Sequence, residues 1–108
     1  MGSSRLDSLL SMYSENQNDA FLTYALAKEY ESSEDYQKAI EFYEKLDTID
    51  PNYVGKYYHH GKLLWKLQKD EEALLVLDKG IAVAKEVGDG HALGELRQIR
   101  WEISDDEM

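Results

Sequence analysis

Two stretches of this 108-residue chain repeat each other at a spacing of 34 residues. The aligned pairs are Ala27 with Gly61, Tyr30 with Leu64, Ala39 with Ala73, Tyr43 with Leu77 and Lys45 with Lys79. Such self-similarity is typical of stacked-repeat proteins, in which neighbouring units bury one another's apolar faces. The repeat therefore constrains the fold tightly and leaves the function largely open.

The composition indicates one small helical domain. A chain of 108 residues holds one domain at most, and its hydrophobic content of 43% is that of a folded protein. Its single proline leaves long stretches uninterrupted for helix formation. We therefore predict an all-α fold, a stack of antiparallel helix pairs with about six helices.

The acidic balance of the chain excludes some classes of partner. A formal net charge of -10 argues against nucleic acid, because duplex binding depends on lysine and arginine neutralising phosphates. With no cysteine there is no disulfide, thiolate nucleophile or cysteine zinc site, and we expect no cofactor. No segment approaches the roughly 20 apolar residues of a membrane span, and the amino terminus lacks a signal-peptide pattern. The default expectation is a cytoplasmic protein that binds no membrane.

Turn and capping residues divide the chain into six predicted helices. The first is short, and the others are predicted at 19–31, 34–48, 51–68, from the turn at 69–72 to Val87, and at 91–103. Ser32 or Ser33 is expected to cap the third helix, and Asp50 before Pro51 to start the fourth. The segment 88–90, Gly-Asp-Gly, supplies a helix stop and a new cap together.

The repeated residues form a motif that can be compared with known repeats. The first copy reads Thr23-x2-Leu26-Ala27-x2-Tyr30, then Ala39-x3-Tyr43 and Pro51; the second reads Tyr57-x2-His60-Gly61-x2-Leu64, then Ala73-x3-Leu77. This resembles the tetratricopeptide repeat, whose pattern is Trp-x2-Leu-Gly-x2-Tyr, Ala-x3-Phe and a closing Pro. The resemblance covers residues 20–87 and implies a superhelix of antiparallel helix pairs.

The resemblance also predicts how the chain is organised. The segments are an N-terminal capping helix at 1–18, repeat 1 at 19–52, repeat 2 at 53–88, a C-terminal capping helix at 89–103 and a disordered acidic tail at 104–108. Thr23 and His60 depart from the pattern, which has a large aromatic residue and a leucine there. Lys85 replaces the closing proline, so the fifth helix is expected to run one turn longer.

In the family that this chain resembles, the first helix of each pair lines a concave groove that holds an extended peptide or a partner's helix. Carried over to this sequence, the groove residues are Phe21, Tyr24, Lys28 and Glu31 in one helix and Tyr58, His59, Lys62, Trp65 and Lys66 in the next. The alternative is that they are only solvent-facing positions of amphipathic helices.

Basic residues are concentrated in one stretch of this acidic chain, and this favours a role in binding a partner. Between Asp50 and Asp70 there is no acidic residue, whereas that stretch holds Lys56, Lys62, Lys66, Lys69, His59 and His60. A positive stripe on an acidic protein favours an acidic or carboxylate-bearing partner segment. We do not expect the lysine and asparagine clamp that some members of the resembled family use for a carboxyl terminus, because the equivalent positions offer Tyr24, Lys28 and His59.

His60 invites a metal or catalytic interpretation because it follows His59. Adjacent helical residues diverge by about 100°, which keeps the two rings from sharing one ion. His60 also falls on the predicted buried stripe with Gly61 and Leu64. A packed core histidine is therefore the favoured interpretation, and no metal site is predicted.

Trp101 is the other unusual residue. It lies about 180° around the last helix from the apolar stripe that contains Leu96, Ile99 and Ile103. An outward-facing tryptophan would be a contact for self-association or for a partner, since exposed large aromatics anchor interfaces. The alternative is that the helix rotates or that the ring folds over its neighbours.

These observations together favour a binding module. Short helical stacks offer a groove rather than a catalytic pocket, and we do not expect an enzyme. We predict a protein–protein interaction module that binds a protein or peptide partner in its groove and exists as a monomer or weak homodimer. The alternative is a structural module that self-assembles through its groove or its C-terminal capping helix.

Overall fold

The protein is all-helical in residues 4–106, which are the residues that its structure, a computed structural model, describes. The helices are α1 (Ser4–Glu15), α2 (Ala20–Ser32), α3 (Tyr36–Ile49), α4 (Gly55–Lys66), α5 (Asp70–Val87) and α6 (Gly90–Asp106). They form two compact units, one of α1 to α3 that ends at Tyr53 and one of α4 to α6 that begins at Val54. The prediction of an all-α fold with six helices is confirmed for this range.

In the first unit, α2 packs against α3 and α1 packs against α2. Ala27 and Ala39 are fully buried, which confirms that small residues occupy the closest part of the helix pair. Tyr43 is also fully buried, and its hydroxyl donates a hydrogen bond of 2.7 Å to Glu31 Oε1. The buried tyrosine therefore keeps its polar end satisfied, as a stable core requires.

The start of α3 differs from the prediction that Ser32 or Ser33 caps it. Asp35 is the cap, and its Oδ1 accepts a bond of 3.3 Å from the backbone N–H of Lys38. Ser33 instead ends α2, where its Oγ donates to the carbonyl of Glu29 at 2.8 Å. The chain turns between the two helices at Glu34, which has a positive φ of 62°. That turn places the capping position two residues after Ser33.

The start of α4 was also predicted wrongly. Pro51 and Asn52 form a turn, and the helix begins only at Gly55. Asp50 caps the end of α3, and its Oδ1 accepts from the backbone N–H of Asn52 at 3.2 Å. The Asp-Pro pair thus stabilises a turn, which its chemistry suits as well as a helix start.

The second unit is built on very close contacts between α4, α5 and α6. A Cβ added to Gly61 would lie 2.6 Å from Leu77 Cδ2, and one added to Gly80 would lie 2.5 Å from Tyr57 Cβ. Both glycines are therefore needed for the approach of α4 to α5. Helix α6 covers α5 with Leu96 and its other buried apolar residues, and it also contacts α4.

The junction between α5 and α6 was predicted correctly, whereas α5 begins at Asp70, inside the segment 69–72 that was predicted as a turn. Gly88 ends α5 in the left-handed conformation, with φ of 76°, and Asp89 Oδ1 accepts from the N–H of Ala92 at 3.0 Å. The expected extra turn of α5 is confirmed, because the helix continues to Val87.

The acidic tail predicted at 104–108 is corrected in part. Ser104 to Asp106 lie in the last turn of α6, whereas Glu107 and Met108 lie outside the described residues. The continuation has a local reason: Arg100 Nη1 donates to Ser104 Oγ at 3.2 Å, while its Nε donates to Asp78 Oδ1 on α5.

The role of α1 and α6 as caps stays a prediction. None of the helices described in residues 4–106 has the length and apolar character that a bilayer crossing requires.

Candidate functional site

One side of α4 carries the predicted aromatic and basic residues, and we call it the α4 face. Its members are Tyr58, His59, Lys62, Trp65 and Lys66. Lys62 and Lys66 are exposed, whereas the three ring-bearing residues are half-buried. Their spacing places them along adjacent turns of one helix. The structure thus brings the second-unit residues of the prediction onto one continuous surface of α4.

Tyr58 contacts two other members of the α4 face, His59 and Lys62. The rings of Tyr58 and His59 meet edge to face, with centroids 5.4 Å apart. Lys62 Nζ lies 5.7 Å from the centroid of the Tyr58 ring, within the range of a cation–π interaction. The surface therefore offers flat aromatic area beside positive charge.

Lys56 does not belong to the positive stripe. Its exposed fraction is 1%, and its Nζ lies 3.3 Å from the centroid of the Tyr57 ring. Tyr57 packs against Gly80, and this packing turns the side of α4 that carries residues 56 and 57 into the core. The positive charge expected between Asp50 and Asp70 is consequently confined to Lys62, Lys66 and the exposed Lys69.

His60 is buried, as the sequence predicted, and it lies among core residues of the second unit. In the part of the chain that the structure describes, no three residues of the types that bind metals are arranged to hold an ion. The structure therefore places His60 in the core packing of α4, as the favoured interpretation expects.

A cleft between α4 and α6 adjoins the α4 face through Tyr58. Its volume is about 530 Å³, within the usual range of about 300–1,000 Å³ for ligand sites. The residues that line it are Tyr58, Gly90, His91, Gly94, Glu95, Gln98, Ile99 and Glu102. We call it the α4–α6 cleft.

The α6 wall of this cleft was not predicted from the sequence. Nothing lies within 4 Å of where a Cβ of Gly90 or Gly94 would be, so these positions leave the wall open. Farther along α6, Gln98 Nε2 donates to Glu102 Oε1 at 3.1 Å. Two glycines one turn apart in an exposed helix could have indicated this open wall in the sequence. Glycine has an unfavourable helix propensity, so its presence at such positions indicates a role other than helix formation.

The predicted residues of α2 belong to the first unit. The side chain of Phe21 is 65% exposed, whereas Tyr24 and Lys28 are half-buried. The Tyr24 and Tyr53 rings are 5.1 Å apart, and burial, followed by the nearby Tyr53 and Glu31, raises the pKa of Tyr24. Tyr24 therefore stays neutral at and above the ordinary range of physiological pH.

Trp101 is exposed on α6, which was one of the two possibilities that the sequence left open. Its side chain is 62% exposed, while Leu96, Ile99 and Ile103 of the same helix are buried. The helix is therefore not rotated to bury Trp101, because the apolar stripe itself faces the core. Its role as an interface contact stays a prediction.

Comparison with known proteins identifies the repeat. A model of the tetratricopeptide repeat family matches residues 23–53. A crystal structure of a tetratricopeptide repeat domain protein from Salinibacter ruber is 37% identical, covers 81% of this chain and 97% of that chain, and superposes with a TM-score of 0.76. No curated protein matches the sequence.

Two more distant structures share the fold. The TPR2B domain of yeast Sti1, solved in complex with pHsp70, has 22% identity and a TM-score of 0.86, covering 94% of this chain and 81% of that one. A Bordetella parapertussis protein solved in solution has 21% identity and a TM-score of 0.84, covering 99% and 92% of the two chains. At these identities the likeness concerns the fold alone.

Proposed function

The chain belongs to the tetratricopeptide repeat family, and on that premise we propose that it is a protein-interaction module whose α4 face binds a peptide or helix of a partner. The family fold implies binding between proteins, and what this chain binds is argued from its own residues. The partner segment we propose is acidic or bears a terminal carboxylate.

The observation that carries this proposal is the grouping of Lys62 and Lys66 beside Tyr58 and Trp65. Two exposed ammonium groups one turn apart attract carboxylates, and the neighbouring rings supply flat apolar area that becomes buried on binding. The chain as a whole is strongly acidic, with a net charge of -10, so an acidic segment finds a favourable local potential at this surface.

The chemistry of lysine sets the expected strength and selectivity. Each exposed pair of lysine and carboxylate contributes about 0.2–1 kcal/mol, and added salt weakens it. Lysine is also a point charge on a flexible stem, so charge alone selects poorly among acidic segments. Selectivity would therefore come from the shape of the surface around Tyr58 and Trp65.

The yeast Sti1 domain supports binding of a partner by a fold of this kind, since its structure was solved as a complex with pHsp70. Its identity to this chain is low, so the support concerns the type of function. The residues Phe21, Tyr24 and Lys28 of α2 stay predicted contacts, and their role is tested separately from that of the α4 face.

Affinity capture from a lysate of the source organism tests the proposal. The bait is compared with Lys62→Glu/Lys66→Glu and with Lys79→Glu/Lys85→Glu, which alters two exposed lysines of α5 and changes the net charge equally. We expect a specific prey to be lost by the first variant and retained by the second. A prey that both variants capture like the unaltered bait would contradict the proposal.

A second candidate function is self-assembly, favoured by the exposure of Trp101. A dimer that buries this ring, or the α4 face, would make the chain a structural module instead of a receptor for another protein. The two candidates differ in the mass of the isolated protein.

A further inference from the structure

The α4–α6 cleft carries charge opposite to that of the α4 face. Two of its lining residues, Glu95 and Glu102, are carboxylates, and no lysine or arginine is among the described residues that line it. His91 also lines the cleft, and its Nε2 lies 3.5 Å from Glu95 Oε1. The two glutamates are seven positions apart, which places them on the same side of α6 two turns from each other. The two glutamates therefore give the α6 wall of the cleft negative charge.

The other wall of the cleft is suited to a cation as well. Tyr58 lines it, and an aromatic face attracts ammonium and guanidinium groups. The contact of Lys62 Nζ with this ring shows that the surroundings of Tyr58 already accommodate a positive group. A cation in the cleft would meet the ring on one side and carboxylates on the other.

The cleft also has room for a chain to approach. Because Gly90 and Gly94 carry no side chain and their Cβ positions face open space, a bound backbone can come close to this part of α6. Glu95 follows Gly94 directly along α6, and Glu102 lies about two turns farther. Room, aromatic surface and negative charge thus occur in one cavity.

We infer that the α4–α6 cleft binds the cationic side chain of a lysine or arginine in a partner segment, placed between the Tyr58 ring and the carboxylates of Glu95 and Glu102. An organic cation is favoured over a metal ion because no metal-binding cluster occurs within residues 4–106. Together with the lysines of the α4 face, the cleft selects a segment with an acidic part and a basic residue next to it, and this polarity orients the segment. That last step rests on the proposed function, whereas cation binding by the cleft does not.

A small probe tests the cleft without the partner. The amide of N-acetyl-arginine is titrated into ¹⁵N-labelled protein, with the amide of N-acetyl-leucine as its neutral counterpart. We expect saturable shifts of the Gly90, Gly94 and Gln98 amides with the arginine probe. Absence of saturable shifts at these amides, or equally strong binding of the leucine probe, would overturn the inference.

Matched variants locate the charge that matters. Glu95→Gln/Glu102→Gln is expected to raise the Kd of the arginine probe about threefold to tenfold, because two carboxylate contacts are lost. Glu71→Gln/Glu72→Gln changes the net charge equally at exposed positions of α5 and is expected to leave the Kd unchanged. Equal Kd values for the cleft variant and the unaltered protein would overturn the inference. If the arginine probe does not bind, the capture experiment with Lys62→Glu/Lys66→Glu can still support the proposed function. If the capture experiment fails, the probe can still show that the cleft binds a cation.

Discussion

Gly80 lies so close to Tyr57 that a Cβ at position 80 would be 2.5 Å from Tyr57 Cβ. The contact joins α5 to α4 at a point where both residues are buried and where Leu96 of α6 is also near. Because Cβ atoms are fixed by the backbone, a clash there cannot be relieved by rotating a side chain. Gly80 thus sets the spacing of the helix that carries the α4 face.

The first prediction concerns this spacing. We expect Gly80→Ala to lower the free energy of unfolding by about 1–3 kcal/mol, since overpacking outweighs the better helix propensity of alanine. Gly94→Ala is the control, because its Cβ meets open space, and it is expected to raise stability by about 0.5–1 kcal/mol. Urea unfolding of both variants measures the difference, and equal or greater stability of Gly80→Ala would contradict this account of the packing.

The second prediction concerns pH. Burial, followed by the hydrogen bond to Glu31, raises the pKa of Tyr43 far above its ordinary value of 10, and the pKa values of Tyr24 and Tyr53 are raised as well. A raised pKa in the folded state means that the unfolded chain loses its proton first, so stability is full below pH 10 and falls as pH rises above it.

The pH effect is measured by urea unfolding at a series of values from about pH 8 to 11, a range that spans the ordinary tyrosine pKa. Tyr43→Phe is expected to lower stability by about 0.5–1.5 kcal/mol at neutral pH, through loss of the hydrogen bond, and to show a weaker decline at high pH. Parallel curves for the variant and the unaltered protein would show that Tyr43 does not cause the decline.

The close packing and several helix ends could be predicted from the sequence because local chemistry determines them. Small residues at the repeat positions, such as Ala27 and Gly61, leave room for only one kind of helix pair. Gly88 and Asp89 specify a stop and a cap through backbone conformation and side-chain hydrogen bonding alone. Neither inference needs knowledge of distant contacts.

Other features depended on contacts that the sequence does not display. Asp50 before Pro51 suits a turn and a helix start equally, and the packing of the chain selects the turn. Lys56 is buried because Tyr57 must meet Gly80. The α4–α6 cleft joins Tyr58 to residues more than thirty positions away, and helical periodicity within one segment cannot reveal such a pairing.

The third prediction concerns the last turn of α6, residues 104–106, which the sequence predicted to belong to a disordered tail. Arg100 links α6 to Asp78 of α5 and to Ser104, so Arg100→Gln is expected to increase hydrogen exchange at the amides of 104–106. Its cost in stability is about 0.2–1 kcal/mol, as for an exposed pair, and smaller at high salt. Arg97→Gln removes the same charge from an exposed position of α6 and serves as control. Equal exchange rates in the two variants would contradict the role of Arg100.

The fourth prediction separates the two candidate functions. If Trp101 mediates self-association, sedimentation of the unaltered protein gives a dimer mass at high concentration and Trp101→Ala gives a monomer mass. If the chain is a binding module, both sediment as monomers. A dimer that persists in Trp101→Ala would show that another surface, such as the α4 face, forms the contact.

The most direct test of the central claim follows the amides of α4 during binding. The protein is labelled with ¹⁵N and titrated with the segment of the captured partner. The account predicts that the amides of Tyr58, Lys62 and Lys66 shift with one saturable Kd and that Lys62→Glu/Lys66→Glu abolishes these shifts. Binding that leaves these three amides unmoved while other surfaces respond would contradict it.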